Sequence, residues 1–166
     1  IAHLRAEGRR VFFDAEHFFD GYRSNPGFAG SVLDAAHDAG AERLVLCDTN
    51  GGALPHQIEQ TLTEVMASLP EATFGCHFHN DSGTAVASSL AAVRLGVLQV
   101  QGCVNGYGER TGNADLCSVI PNLALKMGYE TIPDERMAKL TTVSHNVADL
   151  VNRSLEPHTP YVGVSA

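Results

Sequence analysis

The chain has 166 residues, of which 44% are hydrophobic and 18% are charged, as in ordinary globular proteins that build their own core. Nineteen acidic residues against eleven basic ones give a formal net charge of −8, which argues against electrostatic binding to nucleic acid or anionic lipid and favours small-molecule partners. No apolar run approaches the roughly 18 residues of a membrane span, and no signal peptide is recognisable, so we expect no membrane contact and a cytoplasmic location.

Four short runs rich in β-branched, aromatic and aliphatic residues predict strands, and a stretch with helical periodicity follows each run. The predicted strands are 11–16, 43–49, 73–79 and 98–106. The helices that follow are expected to begin at Pro26, at Pro55, after a capping Ser82 and near Asn113. A kink is expected near Pro121, because proline removes a helical hydrogen bond.

This alternation of strands and helices predicts a parallel sheet with right-handed crossovers. Two architectures fit: a small doubly wound sheet, or half of a (β/α)8 barrel. An open sheet concentrates its site at one switch point, whereas here every predicted strand ends in polar residues, which favours the barrel. These strand-end residues are Asp14 and Glu16, Asp48 and Thr49, His77 and His79, and Asn105.

The four cysteines form no CxxC pair, and three of them fall inside the predicted strands. We therefore predict that they are small core residues of a protein in a reducing compartment, and neither disulfides nor a zinc cluster. The four are Cys47, Cys76, Cys103 and Cys117.

Two histidines one residue apart, in the segment GCHFHNDSG, are the strongest candidates for a metal site. Side chains alternate along a strand, so His77 and His79 point to the same face and could bind one divalent ion. Asn113, at the start of the next predicted helix, offers an amide oxygen, and such a set suits zinc, manganese or iron, or magnesium with enough oxygens. No third ligand, preferably a carboxylate, is evident, and two ordinary, partly exposed histidines remain the alternative.

A glycine-rich loop spans residues 105–112. Its glycines, Gly106, Gly108 and Gly112, would let the backbone approach a ligand closely, and Arg110 could bind a phosphate or a carboxylate. The alternative is a flexible connection in which Glu109 and Arg110 form a solvated pair. The loop contains neither a Walker sequence nor a GxGxxG fingerprint.

Two further strand-end residues could serve either in substrate binding or catalysis, or only in the local structure. Thr49 belongs to the segment Asp-Thr-Asn-Gly-Gly, whose residue types favour a tight turn, but its hydroxyl could equally bind a substrate carboxylate. Glu16 is either an acid–base group or a carboxylate on the rim of the sheet.

The motifs HFHND, DTNGG and GYGERTGN, in this chain's order and spacing, resemble a superfamily of metal-dependent acyltransferases and lyases. Its members include 2-isopropylmalate synthase, homocitrate synthase, citramalate synthase and 3-hydroxy-3-methylglutaryl-CoA (HMG-CoA) lyase. The segments DAEHFFDGY, LVLCDTNGGALPH and QVQGCVNGYGERTGNADL are most similar to the citramalate synthases, and the resemblance covers nearly the whole chain.

The resemblance implies a TIM barrel of which residues 1–132 form the second half, strands five to eight, with 133–166 as a post-barrel helix and the extended start of a linker or accessory region. It implies that His77, His79 and Asn113 bind the metal, that Thr49 binds the keto acid and that Glu16 is an active-site glutamate. It further implies a loop that helps to hold the acyl-CoA and metal region, comprising Gly106, Gly108, Glu109, Arg110 and Gly112.

The activity that the resemblance implies is a Claisen-type condensation of acetyl-CoA, the co-substrate, with a 2-keto acid. The similarity to citramalate synthases favours pyruvate and hence citramalate, a step of isoleucine and so of branched-chain amino acid biosynthesis. The cofactor implied is a divalent metal ion: manganese, magnesium or zinc. 2-Isopropylmalate or homocitrate synthesis is the alternative of the same chemistry.

The family's Arg-Asp pair, whose aspartate supplies the remaining metal carboxylate, would lie upstream of Ile1. We therefore expect the 166 residues alone to be inactive. A half-barrel also leaves strand edges unpaired, so association into a homodimer is expected. A half-barrel that only folds or self-associates is the alternative of another class.

Overall fold

The sheet consists of four parallel strands, and the computed structural model describes all residues from 1 to 166. Each strand lies within one of the four predicted runs: β1 is Phe12–Ala15, β2 is Arg43–Asp48, β3 is Phe74–Phe78 and β4 is Gln99–Gln101. The spatial order is β1-β2-β3-β4, so every strand pairs with the next strand along the chain. A doubly wound sheet would reverse its strand order at a switch point, whereas this order is that of consecutive units of a (β/α)8 barrel.

The chain has eight α-helices, and those between the first strand and Pro121 supply apolar side chains that pack against one face of the sheet. None of them is long and apolar enough to cross a membrane. They are α1 (Ala2–Ala6), α2 (Phe18–Ser24), α3 (Pro26–Asp38), α4 (Pro55–Ser68), α5 (Ala85–Arg94), α6 (Leu116–Pro121), α7 (Asp134–Met137) and α8 (Leu140–Leu150), with a 3-10 turn at Val104–Gly106 and a π-helical turn at Asn122–Lys126.

The predicted helix starts at Pro26 and Pro55 are confirmed, since each proline is the first residue of its helix. The predicted cap at Ser82 is wrong: α5 begins at Ala85, whose N–H donates to Asn80 Oδ1 at 3.1 Å. The short helix α2 was not predicted.

The predicted start of the fourth helix near Asn113 is wrong as well. The helix α6 begins at Leu116 after Asp115, whose carboxylate accepts from the N–H of Cys117 at 2.9 Å. Asn113 lies before the helix because it pairs with His79 in an isolated antiparallel bridge. The kink at Pro121 is confirmed: the helix changes there from α to π geometry.

The two faces of the sheet differ in chemistry. Large apolar side chains of β2 and β3 pack against the helices, namely Leu44, Leu46, Phe74, Cys76 and Phe78. The opposite, inner face carries Asp14, Val45, Cys47, Gly75, His77 and Gln101, in the alternation that the parallel register imposes. Three of the four cysteines are buried, as predicted, and Cys103 is half-buried.

The sheet has two unpaired edges, one on β1 and one on β4. Exposed apolar side chains line a groove beside each edge. Phe28, whose exposed fraction is 68%, lies in the groove next to Phe13 of β1. Leu98, whose exposed fraction is 73%, directly precedes β4 and lines the other groove. Exposed strand edges flanked by apolar surface promote pairing with another chain.

We predict that the 166-residue chain self-associates and that Leu98→Glu combined with Phe28→Glu shifts it toward the monomer, because both charges lie in the edge grooves. Multi-angle light scattering measures the change. Leu150→Glu is the matched control, since Leu150 is 84% exposed but belongs to α8 rather than to an edge groove. A wild-type chain that stays monomeric at all concentrations contradicts the prediction.

Candidate metal centre

The strand β3 brings two imidazoles to the inner face of the sheet. His77 lies within the strand, and His79 follows it in a buried position. Their Nε2 atoms are 3.3 Å apart. Two ligand nitrogens that each lie about 2.0–2.1 Å from one ion are separated by roughly 3 Å, so this spacing fits a shared ion.

His79 is in an environment that favours its neutral form. Burial lowers the pKa of His79 below its usual value, and the neighbouring His77 and Arg110 lower it further. A neutral imidazole is the form that binds a metal ion. The Nδ1 atom of His79 is buried without a hydrogen-bond partner in this chain.

Asn113 is the third side chain at this point. Backbone hydrogen bonds hold it on both sides, from its own N–H to the carbonyl of Gly106 at 3.0 Å and from the N–H of Ala114 to the carbonyl of Phe78 at 3.0 Å. Its Nδ2 atom lies 3.0 Å from His77 Nε2. A half-turn of the amide group would put its oxygen there instead, since the two orientations have the same shape.

Two imidazole nitrogens and one amide group therefore converge, which fits a divalent ion. No cluster of three or more His, Cys, Asp or Glu side chains in the chain is arranged to hold a metal ion, so no carboxylate joins the two histidines.

Behind His77 lies a hydrogen-bonded chain that sequence reasoning missed. His77 Nδ1 is 2.8 Å from Gln101 Oε1, and Gln101 Nε2 donates to both carboxylate oxygens of Asp14, at 3.1 and 3.3 Å. The register of the sheet causes this contact, because Gln101 of β4 is the direct partner of His77. The sequence shows only that Gln101 lies in the next predicted strand, and it does not show that Gln101 is level with His77.

The glycine-rich loop closes around Asn113. A Cβ atom on Gly108 would overlap the Asn113 amide oxygen, and one on Gly112 would overlap the carbonyl oxygen of Gly106. Gly106 and Gly112 also have positive φ angles, of 65° and 100°. The glycines are thus required for close contacts inside the chain, and in particular for the position of Asn113.

Arg110 is bound within the chain. Its guanidinium donates to Asp81 through Nε and Nη2, both at 2.9 Å, and Nη2 also donates to the carbonyl of Thr49 at 2.7 Å. The hydrogen bonds from Arg110 hold the pKa of Asp81 below its usual range. Glu109 is mostly exposed, 3.6 Å from the same guanidinium. Arg110 therefore joins the segments that follow β2, β3 and β4.

Thr49 and Glu16 contact each other at the ends of β2 and β1. The Thr49 hydroxyl donates to Glu16 Oε2 at 2.6 Å and accepts from the N–H of His17 at 2.7 Å. A substrate carboxylate that bound Thr49 would compete with Glu16 for the hydroxyl hydrogen. Neighbouring Asp48 has a structural role: burial raises its pKa, and it accepts from the N–H of Ala53 at 3.0 Å to hold the turn.

The sequence profile of the HMGL-like family matches residues 1–147. The chain belongs to the HMGL-like family. Over its whole length it is 54% identical to the (R)-citramalate synthases of Synechocystis sp. and Aquifex aeolicus, and 33% identical to a probable 2-isopropylmalate synthase of Methanosarcina acetivorans. It covers 32%, 31% and 31% of these proteins, so it spans about a third of the length of the relatives that it matches.

A solved structure of this family supports the same fold. The HMG-CoA lyase of Bacillus subtilis superimposes with a TM-score of 0.67 at 25% identity, covering 77% of this chain and 44% of the lyase. The resemblance to citramalate synthases and the half-barrel architecture that the motifs implied are thus confirmed.

We predict that Gly108→Ala displaces the Asn113 side chain from His77, because the added methyl group overlaps its amide oxygen. The free energy of unfolding should fall by about 1–3 kcal/mol, the usual cost of overpacking. Urea denaturation measures this loss, and the Asn113 side-chain amide resonances report the displacement.

Gly52→Ala is the matched control, since no atom lies within 4 Å of its Cβ position. Equal stability and unchanged Asn113 resonances in both variants would rule out the packing role of Gly108.

Proposed function

We propose that this HMGL-like chain supplies metal-binding and substrate-binding residues of an enzyme that condenses acetyl-CoA with pyruvate to give citramalate. The observation that carries the proposal is the convergence of His77 Nε2, His79 Nε2 and the Asn113 amide. The 54% identity to (R)-citramalate synthases over the whole chain supports the choice of reaction. Citramalate formation would belong to isoleucine biosynthesis.

The residues fit a divalent ion such as manganese, magnesium or zinc, with nitrogen and oxygen donors. When bound, the ion would polarise the ketone of the keto acid as a Lewis acid. His77, His79 and Asn113 would hold it. The deprotonated methyl carbon of acetyl-CoA forms the new bond to the ketone carbon, the ketone oxygen takes up a proton, and hydrolysis of the thioester by water releases CoA.

Thr49 would bind the carboxylate of the keto acid, and Glu16 would belong to the acid–base network. The hydrogen bond between them supports this division: when Thr49 turns its hydroxyl hydrogen to the substrate, Glu16 loses that partner and can exchange a proton. The loop from Gly106 to Gly112, which includes Gly108, Glu109 and Arg110, would help to hold the acyl-CoA next to the metal ligands. A homodimer in the cytoplasm completes the proposal.

We predict that His77→Ala and His79→Ala each weaken Mn²⁺ or Zn²⁺ binding to the complete gene product by more than about 100-fold. Losing a residue that only hydrogen-bonds to a metal ligand weakens binding by about 10- to 100-fold, and losing a ligand itself should weaken it further. Isothermal titration measures the affinity. The control is His56→Ala, because His56 is an exposed residue of α4 and should leave binding unchanged. Equal affinity in all three variants would falsify the ligand assignment.

We predict that the complete gene product prefers pyruvate to 2-ketoisovalerate by kcat/KM. Both acids share the keto-carboxylate group, so discrimination depends on the methyl or isopropyl substituent. A pocket shaped for methyl excludes isopropyl by steric overlap, whereas a pocket shaped for isopropyl loses only about 1–3 kcal/mol per missing methylene.

The assay measures CoA release with each keto acid. A preference for 2-ketoisovalerate reassigns the reaction to 2-isopropylmalate synthesis, which the 33% identity to a probable 2-isopropylmalate synthase makes the second candidate. If none of the three keto acids, pyruvate, 2-ketoisovalerate and 2-ketoglutarate, leads to release of CoA, the proposed condensation is contradicted.

A further inference from the structure

We propose that Asp14 and Gln101 are positioning residues that set the tautomer of His77. The inference rests on the proposed function, because it concerns how His77 is prepared to bind a metal ion. Its basis is the unbroken contact from the Asp14 carboxylate through the Gln101 amide to His77 Nδ1.

The hydrogen bonds that connect Asp14, Gln101 and His77 are consistent with only one arrangement of donors and acceptors. A carboxylate only accepts hydrogen bonds, so the group of Gln101 that faces Asp14 must be its NH2. The carbonyl oxygen of Gln101 then faces His77 Nδ1 at 2.8 Å and requires a hydrogen on that nitrogen. A neutral imidazole carries one hydrogen, so His77 Nε2 keeps its lone pair.

The lone pair on His77 Nε2 is the one that a metal ion needs. This nitrogen faces His79 Nε2 at 3.3 Å and the Asn113 amide at 3.0 Å. Free neutral histidine favours the opposite tautomer, with the hydrogen on Nε2. Asp14 and Gln101 therefore stabilise the less common tautomer before any metal binds, which lowers the reorganisation that binding requires.

The two histidines are not equivalent in this respect. His79 Nδ1 is buried but has no hydrogen-bond partner in the chain, so nothing comparable fixes its tautomer. A loss of the Gln101 carbonyl should thus act on His77 directly, and it can reach His79 only through the contact between the two Nε2 atoms. The exposed His56 of α4 has no contact with this site and is the internal control within the same spectrum.

The test uses the complete gene product labelled with ¹⁵N-histidine, at about two pH units above the ordinary histidine pKa of about 6.5. Long-range ¹H–¹⁵N spectra distinguish the nitrogen that carries the hydrogen from the one that carries the lone pair. In the wild type, the hydrogen is expected on His77 Nδ1. Gln101→Leu should move it to Nε2 and weaken Mn²⁺ binding by about 10- to 100-fold, the usual effect of losing an outer-shell partner.

Exchanging the two groups is the conservative rescue. In the double variant Asp14→Asn, Gln101→Glu, the amide at position 14 donates to the carboxylate at position 101, whose free oxygen again accepts from His77 Nδ1. The tautomer and the Mn²⁺ affinity should both recover. Asp14→Asn alone should weaken the preference, and since Asp14 is exposed this variant keeps the test valid if Gln101→Leu does not fold.

The outcomes separate this inference from the proposed function. A wild-type hydrogen on His77 Nε2, or a tautomer that Gln101→Leu and Asp14→Asn both leave unchanged, overturns the positioning role. A tautomer that responds as expected in a protein that binds no Mn²⁺ supports the positioning role and overturns the proposed metal site.

Discussion

The parallel register of β3 with its two neighbours is the constraint on which the site depends. It pairs His77 with Cys47 on one side and with Gln101 on the other. A slip of one residue would turn both imidazoles from the inner face to the helix-covered face. What opposes the slip is burial: Phe74 and Phe78 are almost fully buried against the helices, and the slip would expose them. Hydrophobic packing on one face thus fixes the chemistry on the other.

Above the strands, the site depends on contacts between loops. The ion pair of Arg110 with Asp81, and the bond from Arg110 to the Thr49 carbonyl, connect three successive βα loops. The loop after β4 is also held by α8: Asn105 donates to the carbonyl of Ser144 at 2.9 Å and accepts from its hydroxyl at 2.6 Å. The boundary between a half-barrel of residues 1–132 and a post-barrel region of residues 133–166 stays a prediction. The hydrogen bonds between Asn105 and Ser144 connect these two regions.

The inner face carries polar groups that this chain does not satisfy. Arg43 Nε and Nη1, Gln99 Oε1 and His79 Nδ1 are buried without hydrogen-bond partners. Buried polar atoms of native proteins nearly always have partners. Together with two unpaired strand edges, this pattern matches a sheet whose interior is completed by groups outside the 166 residues, as in a closed barrel.

Local patterns in the sequence determined the four strands, the helix starts at Pro26 and Pro55 and the kink at Pro121, because apolar periodicity and proline geometry act within a few residues. The period of a strand likewise placed His77 and His79 on one face. Start signals failed where tertiary contacts were stronger: Asn113 pairs with His79 and so cannot open a helix.

Only the tertiary structure decided which side chains meet across strands. Gln101 lies 24 residues from His77, and Arg110 lies 29 residues from Asp81, yet each pair is in hydrogen-bonding contact. Such contacts follow from strand register and loop closure, which depend on the packing of the whole sheet and have no local signal. The sequence therefore determined the kinds of groups at the ends of the strands, and the fold decided their partners.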